Sequence, residues 1–283
     1  MKLMKTVLVG LSLTGLVAAA AVQATPEEDR AAFQKFFTDK FKNSIRDKNP
    51  ENFIHGALAL SEDAFSQWQE IDGDFPPYGD AMDHGRELWE KPFANGKSFK
   101  DCFKEDLNMI RASFPRYDEE KDTILTLEGE INACREANGE KPFAWKKGDI
   151  AAVSAYISHE GRGQKIDVKI PNEKAEAWYE KGKAFFYTKR GQLNMACADC
   201  HIAYSGNYIR AELLSPAYGQ ISHFPTFRAK WDELGTLHRR YGGCNEQVRA
   251  KPFAPQSDEY KALEYFHTYM SNGLEWNGPA FRK

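Results

Sequence analysis

"NMACADCHIAYSG", residues 194 to 206, sets Cys197, Cys200 and His201 in the pattern C-x-x-C-H. That pattern is the attachment sequence for c-type haem. Two thiols add to the porphyrin's vinyl groups, and the adjacent histidine reaches the iron as proximal ligand. A zinc half-site would need a second ligand pair at suitable spacing, which is missing. A thioredoxin-type redox pair would need a βαβ pattern around it, which is missing too. Upstream, "AEAWYEKGKAFFYTK", residues 175 to 189, reads as a helix carrying Trp178, Phe185 and Phe186.

A glycine followed by two large apolar residues shortly before C-x-x-C-H is the usual first helix of a cytochrome c domain. Laid on itself, the chain repeats. "FPRYDEEKDTILTLEGEINACREANGEKPFA" (114 to 144) aligns without a gap on "FPTFRAKWDELGTLHRRYGGCNEQVRAKPFA" (224 to 254). Phe114-Pro115 falls on Phe224-Pro225, Thr126-Leu127 on Thr236-Leu237, and Cys134 on Cys244. "GRELWEKPF" from Gly85 corresponds to "GKAFFYTKR" from Gly182, and "DIAAVSAYIS" to "KALEYFHTYMS", each an apolar closing helix. The fold expected is all-α, with two cytochrome c-like domains in tandem. A helical segment over 25–70 leads into a first domain at 71–160. A polar, glycine-containing linker at 161–174, broken by Pro171, precedes a haem-binding domain at 175–283.

The first domain reads Cys102-Phe103-Lys104-Glu105-Asp106 where the repeat calls for C-x-x-C-H, so the usual attachment chemistry is absent there. Residues 1–24 have Lys2 and Lys5, an apolar run and small residues ending at Ala24, the layout of a secretory signal peptide. No other segment is apolar enough to span a bilayer. A net charge of −3 without runs of like charge excludes a basic nucleic-acid surface. Export places the mature chain in the periplasm, where disulfides persist. With Cys197 and Cys200 given to haem, Cys102 and Cys134 are expected to pair, closing a loop worth roughly 3 kcal/mol. Two separate buried thiols are the alternative that spacing leaves open.

Cys244 is then the odd cysteine, either half of an intermolecular disulfide or a reactive thiol. It follows "RRYGG" on the segment that supplies a distal iron ligand in many cytochromes, and Arg239 and Arg240 put positive charge beside it. A thiolate there would lower the haem's reduction potential. Met195, His223, His238, His267 and Met270 are the competing distal ligands.

One C-x-x-C-H, "FPTFRAKW", "LGTLHRRYGGC" and "VRAKPFA" together resemble the SoxA family, the cytochrome subunits of the SoxAX complex of sulfur oxidation, from about residue 50 to 283. Many members carry a second haem in the first domain. This chain departs from them at Phe103 to Asp106 and resembles the single-haem members, in which a disulfide replaces that haem. The resemblance implies one covalently bound haem c ligated by His201 and Cys244. Cys244, often a persulfide in the family, is implied as catalytic centre, and Arg240, with Arg249 of "VRA", as substrate-binding. It also implies oxidative conjugation of thiosulfate to a cysteine of the carrier SoxYZ, with electrons leaving through a partner cytochrome, SoxX. Two further readings are a thiosulfate dehydrogenase making tetrathionate, which normally keeps a second C-x-x-C-H, and a non-catalytic electron carrier.

Overall fold

A computed structural model of the chain describes residues 24–73 and 75–283. The expected signal peptide falls, but for Ala24, outside the described residues. Helices dominate, as expected, though short hairpins punctuate them. In chain order they are α1 (Pro26–Phe41), a 3-10 stretch (Pro50–Leu60), α2 (Glu62–Asp72), α3 (Gly79–Glu90), a single turn α4 (Leu107–Ile110), β1 (Arg116–Asp118), β2 (Thr123–Leu125), α5 (Leu127–Ala137) and α6 (Asp149–Glu160). Then come α7 (Glu173–Tyr187), β3 (Tyr208–Ile209), β4 (Glu212–Leu213), β5 (Thr226–Arg228), β6 (Glu233–Gly235), α8 (Leu237–Gln247), α9 (Asp258–Tyr269) and β7 (Ala280–Arg282).

The repeat seen in the sequence recurs as geometry. β1–β2–α5 and β5–β6–α8 have the same lengths, 110 positions apart. Both hairpins pair antiparallel, both begin at a cis X-Pro bond, and both turn at an aspartate with positive φ, Asp122 and Asp232. Each following helix is capped by threonine. Thr126 Oγ1 accepts from Gly129 N, and Thr236 Oγ1 from Arg239 N, satisfying amides that the first turn leaves open.

In each half two helices cross on a glycine. A Cβ on Gly85 of α3 would lie 2.1 Å from the Ala152 carbonyl oxygen of α6, and one on Gly182 of α7 would lie 2.0 Å from that of Ala262 on α9. Positions 152 and 262 are repeat equivalents, so one helix crossing is used twice. The halves also exchange bonds reciprocally. Thr126 Oγ1 donates to Gln256 Oε1 at 2.8 Å, while Thr236 N donates to the Lys146 carbonyl at 3.1 Å. Residues 126 and 236, and 146 and 256, are repeat equivalents, so the contact has the isologous form of a twofold dimer. Between the halves Arg111 is buried over the Trp276 ring, near Glu128, which accepts from Ser154 Oγ.

Two cores result. One gathers Trp89, Phe99, Phe103, Phe114, Ile131 and Val153 in the first half, where Trp89 stacks on Phe99. The other joins Tyr179, Phe186, Leu263 and Phe266 to Phe33, Phe37 and Phe41 of α1, which therefore packs on the second half. The stretch expected as a linker, 161–174, is not a loose tether. Ile166 and Val168 are buried, and Ile166 N donates to the Leu274 carbonyl while Gly273 N donates back to Ile166. Alternating Ile166, Val168 and Ile170 make this a strand-like edge held against the chain after α9.

Candidate functional site

The C-x-x-C-H residues follow α7 on a short helical turn, Asp199–Ala203. Asp199 Oδ2 accepts from Ala196 N at 2.8 Å and fixes the turn's start. Lys40 of α1 holds its end, donating to the Ile202 carbonyl at 2.8 Å and Ser205 Oγ at 2.9 Å. The His201 ring is set by the loop beyond. Its Nδ1 lies 3.0 Å from the Ser215 carbonyl, and the Gln220 amide, itself bonded to Ser215 Oγ, lies 3.1 Å from the same nitrogen. With Nδ1–H donating to Ser215, the Nε2 lone pair is left for a metal.

Cys244 meets this ring from α8, within hydrogen-bonding reach of His201. Cys197, Cys200, His201 and Cys244 all line one cavity of about 800 Å³, with apolar walls from Phe186, Leu214, Phe224, Leu237 and Leu263. The size and lining are those of a cofactor pocket. The donor set fits haem c: two free thiols for the porphyrin edge, and an imidazole and a third thiol for the iron. Among the described residues no cluster of His, Cys, Asp and Glu offers a different metal site.

The three free thiols differ in character. Burial pushes Cys197 up to about 12, and burial likewise raises Cys200, so both are neutral at neutral pH. Burial would raise Cys244 as well, but Arg240, the hydrogen bond to His201 and the charge of Arg228 outweigh it, lowering it to about 7. Arg240 lines the cavity, and no protein acceptor holds its guanidinium among the described residues.

The other expected residues separate. Arg249 does not line the cavity; it sits exposed just past α8, at the positive-φ position where the first half has Gly139. Arg239 is engaged elsewhere, bonded to Glu233 at 3.0 Å and stacked over Trp231. Of the competing distal ligands, Met270 is buried beside Tyr179, and His238 is bonded by Gln256 N and faces Glu264 at 3.0 Å, away from the cavity. His267 lines the cavity with both nitrogens engaged, Nδ1 near Tyr241 Oη and Nε2 near the Ala217 carbonyl, each at 3.2 Å. Met195 and His223 also line it, but the side chain that meets His201 is Cys244. Cys102 and Cys134 form a disulfide beside a smaller cavity of about 340 Å³ in the first half.

Sequence reasoning missed Ser215 and Gln220, which orient the histidine. It also missed Arg228, whose signal was its place in "FPTFR", read only as a motif. No helix among the described residues is long and apolar enough to cross a membrane.

Comparison with known proteins places this geometry. Residues 84–166 match the family model described as SoxA/TsdA, cytochrome c domain; they lie in the half without C-x-x-C-H. The L-cysteine S-thiosulfotransferase subunit SoxA of Chlorobaculum tepidum is 51% identical over 286 residues, covering 99% of each chain. The proteins of the same name from Chlorobaculum thiosulfatiphilum and Allochromatium vinosum are 53% and 50% identical, covering 96% and 97% of this chain and 94% and 99% of theirs. Among solved structures, SoxXA from P. pantotrophus matches with a TM-score of 0.70 and 34% identity, over 77% of this chain and 84% of that one.

Proposed function

The chain belongs to the SoxA family of L-cysteine S-thiosulfotransferase subunits, and from that premise we propose how its own residues carry the reaction. The activity is the conjugation of thiosulfate to a cysteine thiol, by a cytochrome c-type subunit that works beside a SoxX partner. We assign a single haem c to the second half, tethered by Cys197 and Cys200 and ligated by His201 and Cys244, with the first half closed by its disulfide instead. Bound there, the haem supplies a one-electron acceptor beside the reacting sulfur and passes electrons towards the partner cytochrome.

Cys244 is the reacting sulfur. Its thiolate forms an S–S bond to the sulfane sulfur of thiosulfate, giving Cys244–S–S–SO₃⁻ and releasing two electrons. A thiolate on the carrier, SoxYZ, then attacks the sulfane sulfur. Carrier–S–S–SO₃⁻ leaves and Cys244 returns as thiolate, an ordinary thiol exchange. Arg240 holds the anion: a guanidinium without a protein partner, directed into an apolar cavity, is strongest towards sulfonate oxygens. The same chemistry suits an exported, periplasmic chain, in which the Cys102–Cys134 pair stays oxidised.

The observation that carries this reading is a half-buried thiol that lines one cavity together with His201, Arg240 and Arg228. Cys244→Ser in the haem-loaded complex tests it. The expected result is loss of conjugation and a changed haem absorption spectrum with haem still attached; retained turnover with an unaltered spectrum refutes the assignment.

A further inference from the structure

Arg240 is not the only cation facing Cys244. Arg228, at the end of β5, lines the same cavity as Cys244 and Arg240 and is 9% exposed. Two guanidinium groups that share a cavity repel each other unless an anion lies between them. Here one of them already holds a carboxylate. Arg228 Nη2 lies 3.3 Å from both oxygens of Glu212, and Nε and Nη2 donate to the Lys283 carbonyl at 3.0 and 2.7 Å. Nη1 has no protein acceptor among the described residues.

Glu212 comes from a different sheet. It opens β4 of the β3–β4 hairpin, a two-residue ladder joined through Arg210 with positive φ. That hairpin leans on the cavity through Tyr208 and Ile209, which are 69% and 51% exposed. The Glu212 side chain is itself half exposed, against 11% for Arg228. The pair therefore joins a fixed, buried cation to a carboxylate on a light, solvent-facing flap. Such an ion pair is weakly held on the carboxylate side, and a competing oxyanion can replace it.

We propose that Arg228 is a second anion-binding residue of the site and that Glu212 is its resting occupant, displaced when a divalent sulfur oxyanion binds. The sulfonate oxygens then bridge Arg228 and Arg240, which points the sulfane sulfur at Cys244. Glu212 also sets specificity: a ligand must outcompete a carboxylate already in place, so dianions are favoured over monoanions of the same size. This rests on the reading of Cys244 and Arg240 given above and adds to it the residue pair that governs substrate affinity.

The test is steady-state conjugation kinetics with thiosulfate, using the haem-loaded complex with its partner cytochrome and thiol acceptor. Glu212→Gln removes the competitor while leaving the hairpin in place, and should lower the thiosulfate KM threefold or more. Arg228→Gln should raise KM tenfold or more, with Arg228→Lys in between, and Glu212→Gln should add nothing in the Arg228→Gln background. In each case KM, rather than kcat, carries the change. An unchanged or higher KM for Glu212→Gln overturns the proposal. So does an Arg228→Gln protein whose KM is normal while its haem spectrum or reduction potential has moved, which would make Arg228 a haem partner. Cys244→Ser tests turnover and this series tests KM, so the two readings fail separately.

Discussion

Gly182→Ala probes the helix crossing that presents the C-x-x-C-H turn. A methyl at this position would stand 2.0 Å from the Ala262 carbonyl oxygen, 2.6 Å from its carbon and 2.7 Å from Phe266 Cβ. Ordinary contact begins near 3.4 Å, so α7 and α9 must part by more than an ångström along a buried face. The obstacle is backbone and cannot swing aside. Overpacking of this kind costs ~1–3 kcal/mol or more. Against it stands the helix-propensity gain of Ala over Gly, about 0.5–1 kcal/mol. An unyielding backbone obstacle puts the cost at the upper end, ~3 kcal/mol, so the net loss is ~2 kcal/mol, or a Tm lowered by ~4–8 °C for a chain of this size. Thermal unfolding followed by far-UV circular dichroism reads it. Gly85→Ala meets the Ala152 carbonyl at 2.1 Å and should cost about the same, the two losses adding because the crossings share no residues. Gly79→Ala, whose methyl would meet nothing within 4 Å, is the control. A Gly182→Ala protein as stable as the parent would refute the claim that this crossing is set by backbone contact.

Replacing Cys102 and Cys134 by serine opens a loop with a sequence separation of 32 and should cost ~3–4 kcal/mol by the loop-entropy relation; urea unfolding that shifts by under ~1 kcal/mol would show that the pair contributes little. Stability should also fall as pH drops below 6.5. Burial holds His267 down to about 3 and His55 down to about 4, so both are neutral when folded, whereas their unfolded forms take up protons near 6.5. Burial holds His223 well below its usual value too, so the unfolded state binds up to three more protons than the folded one, a slope of up to ~4 kcal/mol per pH unit between 6.5 and 4. Glu128, raised by burial, opposes this in its own titration range, because it is protonated more readily when folded. Urea midpoints that stay level between pH 6.5 and 4.5 would refute the assignment, and His267→Gln should remove about a third of the slope.

The sequence disclosed most of this fold because the repeat carried the information twice. Equivalent threonines, prolines and aspartates start the same hairpin and cap the same helix, and each works through local chemistry that needs no tertiary context. Cys197, Cys200, His201 and Cys244, singled out in the sequence by spacing and by cysteine count, line one cavity. Other features depended on distance. Ser215, Gln220 and Arg228 act on residues 14 to 19 positions away or on another wall of the cavity, and no local pattern marks them. Adjacency in sequence to Cys244 is not adjacency in space: α8 ends at Gln247, Val248 still lines the cavity, and Arg249 lies outside its lining. Within residues 161–174 the Ile166-x-Val168-x-Ile170 alternation packs against the chain after α9, a contact across more than 100 positions that glycine and proline at the ends do not announce.

The repeat also shows how one scaffold supports two sites of opposite character. Cys134 and Cys244 occupy equivalent places on equivalent helices, and the residue four positions earlier is Glu130 in one and Arg240 in the other. In the first half the cysteine is consumed by Cys102, and the space beside it is a cavity of about 340 Å³ lined by both signs of charge, Lys104, Glu130 and the Glu105–Arg116 pair. In the second half the cysteine stays free, arginine replaces glutamate, and the cavity is about 800 Å³. Disulfide and free thiol are thus alternative uses of one position, decided by whether a second sulfur stands within bonding distance. The charge at the preceding helical turn follows that decision: a cation stabilises the thiolate form of a free cysteine and has no such effect beside a disulfide.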